Sequence, residues 1–171
     1  MKAVEFLGGP WEVLLRLGVA TLIGCALGLN RELRHKPAGM RTHGLVCLGS
    51  SLITLASLLF TFDGARLDPG SALRAVQGLI AGIGFLGGGV ILRDDSHQSV
   101  HGLTTAASIW VSACLGIACG MGEWLTALIA LVLALFVLIA GAPVEGLFRR
   151  WLGPPPRSSQ EEGNGRAPGG G

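Results

Sequence analysis

Five apolar stretches, each about as long as a helix must be to cross a hydrocarbon core of roughly 30 Å, constrain this chain more than any other feature. They run 11–29, 44–62, 73–92, 102–120 and 124–140 of the 171 residues. Apart from Glu12 at the start of the first, no Asp or Glu falls inside them, and Arg16 and Arg74 each lie near an end, where a long cationic side chain can snorkel to the headgroups. Backbone polar groups have no water to bond in lipid, so stretches of this length must close their hydrogen bonds as helices. With 50% hydrophobic and only 14% charged residues, a soluble domain with a polar coat is excluded. The expected fold class is all-α, a polytopic membrane helix bundle of about five transmembrane helices.

The first stretch is not read as a secretory signal: Glu5, Glu12 and Arg16 spoil the charge layout, and no clear small-residue cleavage site precedes the basic segment after it. It is expected to be a retained helix. A transmembrane domain is therefore placed over residues 1–142. Residues 143–171, ending "GPPPRSSQEEGNGRAPGGG", are rich in Pro and Gly and are expected to form a largely disordered tail that cannot bury enough apolar surface to fold.

Orientation follows from the basic residues. "NRELRHKPAGMRTH", between the first two stretches, holds Arg31, Arg34, Lys36 and Arg41, and positive short loops stay in the cytoplasm. Placing it inside also puts Arg93, Arg149, Arg150, Arg157 and Arg166 inside, leaving only Lys2, Arg16, Arg66 and Arg74 of the 13 basic residues on or near the outside. The chain is expected to run N-out, C-in, with the tail cytoplasmic. Trp11, Trp124 and Trp151 then fall at the two interfaces, as amphipathic rings should. Trp110 lies near mid-membrane, where its indole N–H should seek a partner on another helix.

Gly82, Gly84 and Gly87 spell G-x-G-x-x-G, but a dinucleotide loop needs a strand before it, a helix after it and an acidic residue roughly twenty positions on. The motif sits inside an apolar run, and residue 104 is Thr. The glycines make better sense as packing surfaces. Gly24 and Gly28, Gly78 and Gly82, Gly84 and Gly88, and Gly116 and Gly120 are all four-residue pairs of the kind that lets helix backbones approach, within the chain, in a homo-oligomer or against another membrane protein. In "GLTTAASIWVSACLG", Thr104, Ser108 and Ser112 share a helical face with Thr105 beside them, suited to interhelical bonds or to a wet path.

No enzyme signature is present. Cys25, Cys47, Cys114 and Cys119 lie in apolar stretches without C-x-x-C spacing and read as small buried hydrophobes. His97 and His101 have metal spacing only if "RDDSHQSVHG" is helical, and it looks like a loop; Asp94 and Asp95 read as a solvated pair. Metal ligands therefore stay unknown, and no cofactor is expected; Mg²⁺ is possible in principle but no carboxylate deep in a span supports it. The net charge of +2 gives no case for nucleic acid.

Three segments, "GLNRELRHKPAGMRTHGLVCLG", "RAVQGLIAGIGFLGGGVIL" and "VHGLTTAASIWVSACLGIACGMG", resemble in order and spacing the signatures of the MgtC/SapB family of bacterial inner-membrane proteins. The resemblance covers roughly residues 15 to 140 and implies a five-helix inner-membrane domain, a link to growth at low magnesium and, for some members, to survival of pathogens in host cells. By motif match it marks Arg31, Glu32, Lys36, Pro37, Gly39, Arg41 and Thr42 in the first loop, Arg74, Gly82, Gly84, Phe85 and Gly87 in the third helix, and Gly102, Leu103, Thr104, Thr105 and Trp110 in the fourth. Met40 stands where Leu is usual, and Gly88 where Ala is common. Longer members carry a soluble domain after the last helix, so this chain reads as a short form.

Three functions compete: a non-transporting regulator of membrane machinery acting in stress adaptation, a Mg²⁺ transporter, and a structural assembly subunit. A divalent path ordinarily needs carboxylates facing a cavity, which favours the regulator. The second and fourth helices begin on the cytoplasmic side, so their positive dipole ends lie beside the basic loop and should attract anionic lipids or an acidic partner, with Glu32 pairing to Arg31 or Arg41. Arg41 then belongs to this surface. Reporter fusions test the topology: those after Arg41 and Trp151 should read cytoplasmic and one after Asp68 periplasmic. A periplasmic readout at Arg41 would invert the arrangement.

Overall fold

A computed structural model describes residues 5, 8–60, 69–94 and 99–152. The chain divides into two units, Met1–Phe136 and Val137–Gly171. Five helices are long and apolar enough to cross a membrane, as the sequence requires. They are α1 (Pro10–Leu33), α2 (Met40–Phe60), α3 (Pro69–Val90), α4 (Leu103–Met121) and α5 (Trp124–Leu152). Strands β1 (Leu92–Asp94) and β2 (Ser99–His101) pair antiparallel between α3 and α4, with Leu92 opposite His101 and Asp94 opposite Ser99.

Several boundaries move. The basic segment is mostly helical: α1 continues to Leu33 and α2 begins at Met40, so the connection is only residues 34–39. The Arg34 N–H bonds the Arg31 carbonyl and the His35 N–H the Glu32 carbonyl at the end of α1, and positive φ at His35 (52°) and Ala38 (58°) then turns the chain. Charged straight-chain residues are good helix formers, so membrane length, which set the expected end at 29, does not set the helix end. "RDDSHQSVHG", expected as a loop, supplies the paired strands β1 and β2, with Asp95 and His97 outside the described residues. The last helix passes the expected end at 140 and carries Pro143 in its interior. A proline removes one backbone bond without ending a helix in this setting. The expected disorder of residues 153–171 lies outside the described residues.

Glycine determines which helices meet. A Cβ at Gly24 would lie 2.5 Å from the His43 carbonyl oxygen, and one at Gly28 only 2.6 Å from the Met40 Cα. Gly116 leaves room for the Cys47 carbonyl and the Ser50 Cβ, the latter 2.8 Å from where its own Cβ would be, and Gly120 does the same for the Thr54 Cβ at 2.8 Å. Real Cβ atoms cannot sit at these distances, so α1–α2 and α2–α4 are packed backbone to backbone. The order of partners makes α1 antiparallel to α2, and α2 parallel to α4, as helices two crossings apart must be.

The pairs on α3 differ. A Cβ at Gly78, Gly82, Gly84 or Gly88 meets nothing within 4 Å, so the expected packing of α3 through them is not found within one copy. Instead α3 uses the face of Leu79, Ile83 and Gly87: Ile83 is buried with Ile109 and Ala113 of α4, and Gly87 faces the Ala106 Cβ. The other pairs lie on flanks of that face. A second cluster joins Ala20 of α1, Cys119 of α4 and Ala127 at the start of α5.

Arg16 does not snorkel. It is largely enclosed, and its guanidinium donates to the Gly120 carbonyl at 2.8 Å and to the Glu12 carboxylate at 3.0 Å. It thus caps the negative end of α4 beside Gly122, whose φ of +83° turns the chain into α5. The outward faces are apolar, with Leu22 70%, Leu45 68% and Phe85 84% exposed, as a lipid-facing surface requires. Trp110 also turns outward, 46% exposed, and not toward the other helices, where its indole N–H was expected to find a partner.

Substitution by Ala separates the two kinds of glycine. Gly116→Ala should cost about 1–3 kcal/mol through overpacking, seen as a lower unfolding midpoint in detergent, whereas Gly84→Ala should leave the midpoint unchanged or raise it. Equal midpoints would mean that α2 and α4 do not touch through Gly116.

Candidate functional site

Where α1 ends and α2 and α4 begin, polar side chains converge inside the bundle. Arg31, in the last turn of α1, is 4% exposed. Its Nη2 donates to the Thr105 hydroxyl in the first turn of α4 and, at 3.5 Å, to the Pro37 carbonyl of the connecting loop. Its Nε is buried with no partner. Both acceptors are neutral, so this guanidinium is held without a carboxylate among the described residues. The end of α1 favours a cation and the start of α4 opposes one, since helix dipoles are negative at the C-terminus and positive at the N-terminus.

His43, fully buried in the first turn of α2, spans to α4. Its Nδ1 lies 2.9 Å from the Gly39 carbonyl and its Nε2 lies 3.1 Å from the Ser108 hydroxyl. Ser108 also donates to the Thr105 carbonyl at 2.8 Å, and Ser112 donates to the Ser108 carbonyl at 3.1 Å. Cys47 closes the series, its thiol donating to the Ser112 carbonyl at 3.0 Å. The sequence singled out neither His43 nor the thiol of Cys47 as a bonding group. The buried stripe of α4 is Thr105, Ser108 and Ser112; Thr104 is exposed, so the face drawn through Thr104, Ser108 and Ser112 is rotated by one residue.

Outside this interior lies an open cleft of about 450 Å³ lined by Glu32, His35, Lys36, Gly39, Met40, Arg41 and Thr42. Glu32 does not pair with Arg31 or Arg41 as expected. Its Oε2 instead accepts the Met40 N–H at 3.0 Å, serving the free donors at the start of α2. Gly39 makes this possible, because a Cβ there would lie 2.8 Å from the same oxygen.

The residues marked by motif thus separate into groups. Arg31, Pro37, Gly39 and Thr105 meet in the interior network, while Glu32, Lys36, Gly39, Arg41 and Thr42 line the cleft. Gly102, with φ +92°, lets the hairpin base pass against the Val90 carbonyl, where a Cβ has no room. Gly87 packs on α4, whereas Arg74, Gly82, Gly84, Phe85, Leu103, Thr104 and Trp110 face outward and are not brought to the network. Among the described residues, no three of His, Cys, Asp and Glu gather as metal ligands. The four cysteines are free thiols, with Cys47 and Cys119 buried and Cys25 and Cys114 partly so.

Removing one hydroxyl should expose the difference between the inner and outer stripes. Ser108→Ala leaves a buried His43 nitrogen without its partner and should cost about 1–3 kcal/mol, whereas Thr104→Val should stay within about 0.5 kcal/mol. Chemical unfolding in detergent reads both; a neutral Ser108→Ala would remove the network from the interior.

Comparison with known proteins identifies the family. The model of the MgtC family matches residues 17–147. The chain is 41% identical over 145 residues to the protein SrpB of Synechococcus elongatus, covering 81% of this chain and 80% of that protein. It is 41% identical to SapB of Bacillus subtilis over 75% of this chain and 55% of SapB, and 38% identical to MgtC of Salmonella typhimurium over 71% of this chain and 49% of MgtC. It therefore spans about half the length of the latter two. No solved structure matches. With residues 17–147 of the chain matched, this multi-pass membrane protein belongs to the MgtC family.

Proposed function

We propose that this chain is a bacterial inner-membrane protein, N-out and C-in, that supports adaptation to low magnesium as a non-transporting regulator of other membrane machinery. The observation that carries the reading is the buried Arg31. A cation crossing between α1, α2 and α4 would meet a fixed guanidinium bonded to neutral acceptors, together with the positive ends of α2 and α4. At a separation of about 4 Å and an effective dielectric of about 20, each unit charge repels another by about 4 kcal/mol, and a divalent ion doubles this. Two tightly packed interfaces, α1–α2 and α2–α4, in which glycines leave no room for a Cβ, further close the bundle along this line. The basic loop outside it is then free to meet headgroups or a partner. The link to magnesium comes from the family resemblance.

Purified full-length protein in liposomes loaded with a Mg²⁺-sensitive dye should give no flux above empty vesicles. A saturable, protein-dependent flux would contradict the reading and make the chain a transporter.

A further inference from the structure

The cleft between the end of α1 and the start of α2 has a chemistry of its own. Lys36 and Arg41 are exposed on its wall with His35 beside them, and Arg31 is bonded to the same loop from the buried side. The one carboxylate there, Glu32, is already engaged by the Met40 N–H. A cation would find a single carboxylate, one oxygen of which already accepts the Met40 N–H, and several positive neighbours. A tetrahedral anion would find the reverse.

The rim is apolar. Leu33 is 72% exposed and Met40 39%, and exposed positions continue along α1 through Leu29, Ala26 and Leu22 and along α2 through Leu45 and Leu52. These stripes are at helical spacing and start at the cleft, so a molecule with its charge in the cleft and its hydrocarbon along α1 and α2 fits both surfaces. A soluble anion would use only the first.

We propose that this cleft binds a phosphate-ester anion, foremost the headgroup of an anionic membrane lipid, and that Glu32 is an internal carboxylate holding the anion's place on α2. The proposal deepens the regulator reading by naming the ligand of its basic surface, and it rests on that reading only for the leaflet in which the lipid lies. Lys36 and Arg41 supply the attraction. Glu32 competes with the ligand, and Gly39 gives the carboxylate its room. Binding moves Glu32 off the Met40 N–H, which the incoming phosphate oxygen then accepts, so the donor is served in both states.

The test uses the full chain in neutral detergent, with bound lipid quantified after exposure to phosphatidylglycerol or phosphatidylcholine. Phosphatidylglycerol should be retained selectively. Each basic residue lost should weaken retention about fivefold, and K36Q/R41Q together about 25-fold. Glu32→Gln, whose amide oxygen still accepts the Met40 N–H, should instead strengthen retention several-fold, which a merely misfolded variant cannot do. Glycerol phosphate serves as the soluble arm: displacement of the lipid at equal concentration assigns the site to a soluble phosphate ester, and displacement only at large excess assigns it to the lipid. Equal retention of the two lipids with no binding of glycerol phosphate, a K36Q/R41Q chain that behaves as the unaltered one, or weaker retention by Glu32→Gln would overturn the proposal. A chain that carries Mg²⁺ yet retains phosphatidylglycerol sinks the regulator alone; one that carries none and retains neither lipid sinks only this inference.

Discussion

The backbone-to-backbone approach of α1, α2 and α4 at Gly24, Gly28, Gly116 and Gly120 is the contact on which the rest of the structure depends. In lipid no hydrophobic force drives helices together, so close packing and interhelical hydrogen bonds must do it. The glycines bring the helices near enough for short side chains to reach across: the Ser108 hydroxyl to His43, the Cys47 thiol to the Ser112 carbonyl and the Thr105 hydroxyl to Arg31. Any side chain at those glycines would separate the backbones and leave these polar groups in hydrocarbon without partners. α3 and α5 join this three-helix unit through apolar faces alone among the clusters described, and their outer sides remain open to lipid.

α1 also holds both ends of α4. Arg16 reaches the Gly120 carbonyl and Arg31 the Thr105 hydroxyl, and each pair of positions is fifteen residues apart on its own helix, about 22 Å along an antiparallel axis. The match in spacing lets two straight helices make both contacts at once. The two arginines are electrically unlike. Arg16 neutralises the negative end of α4 and carries its own counter-charge in Glu12, whereas Arg31 stands at the positive end and bonds only neutral oxygens. A buried charge paired in this way is expensive to hold, and intramembrane ionisable residues are ordinarily functional for that reason. This asymmetry places the basic cleft and the buried guanidinium at one face of the molecule.

Much of this was legible in the sequence. Apolar length gave the number of helices, and the four-residue spacing of Gly24/Gly28 and Gly116/Gly120 gave the surfaces that meet. Identical spacing in Gly78/Gly82 and Gly84/Gly88 carried no such meaning, because spacing defines a face and says nothing of which face a neighbour covers. The motif residues near the first loop were identifiable, but their division into an interior Arg31 and an exposed Arg41 was not: it depends on α1 running four residues past the length that the membrane demands. A one-residue error in the hydroxyl face of α4 has the same origin, since a helix turns 100° per residue and Thr104 and Thr105 flank the boundary. His43 gave no signal at all, as a single histidine beside a glycine has no pattern until α4 is laid against it.

The account turns on Arg31 being held inside the bundle by Thr105, and a double-mutant cycle measures that directly. Unfolding free energies of the unaltered chain, Arg31→Met, Thr105→Val and the double variant, taken in one detergent, give the coupling between the two side chains. A buried charge-assisted bond should yield a coupling of about 1.5–3 kcal/mol. A coupling indistinguishable from zero would place the guanidinium outside the bundle and contradict the account.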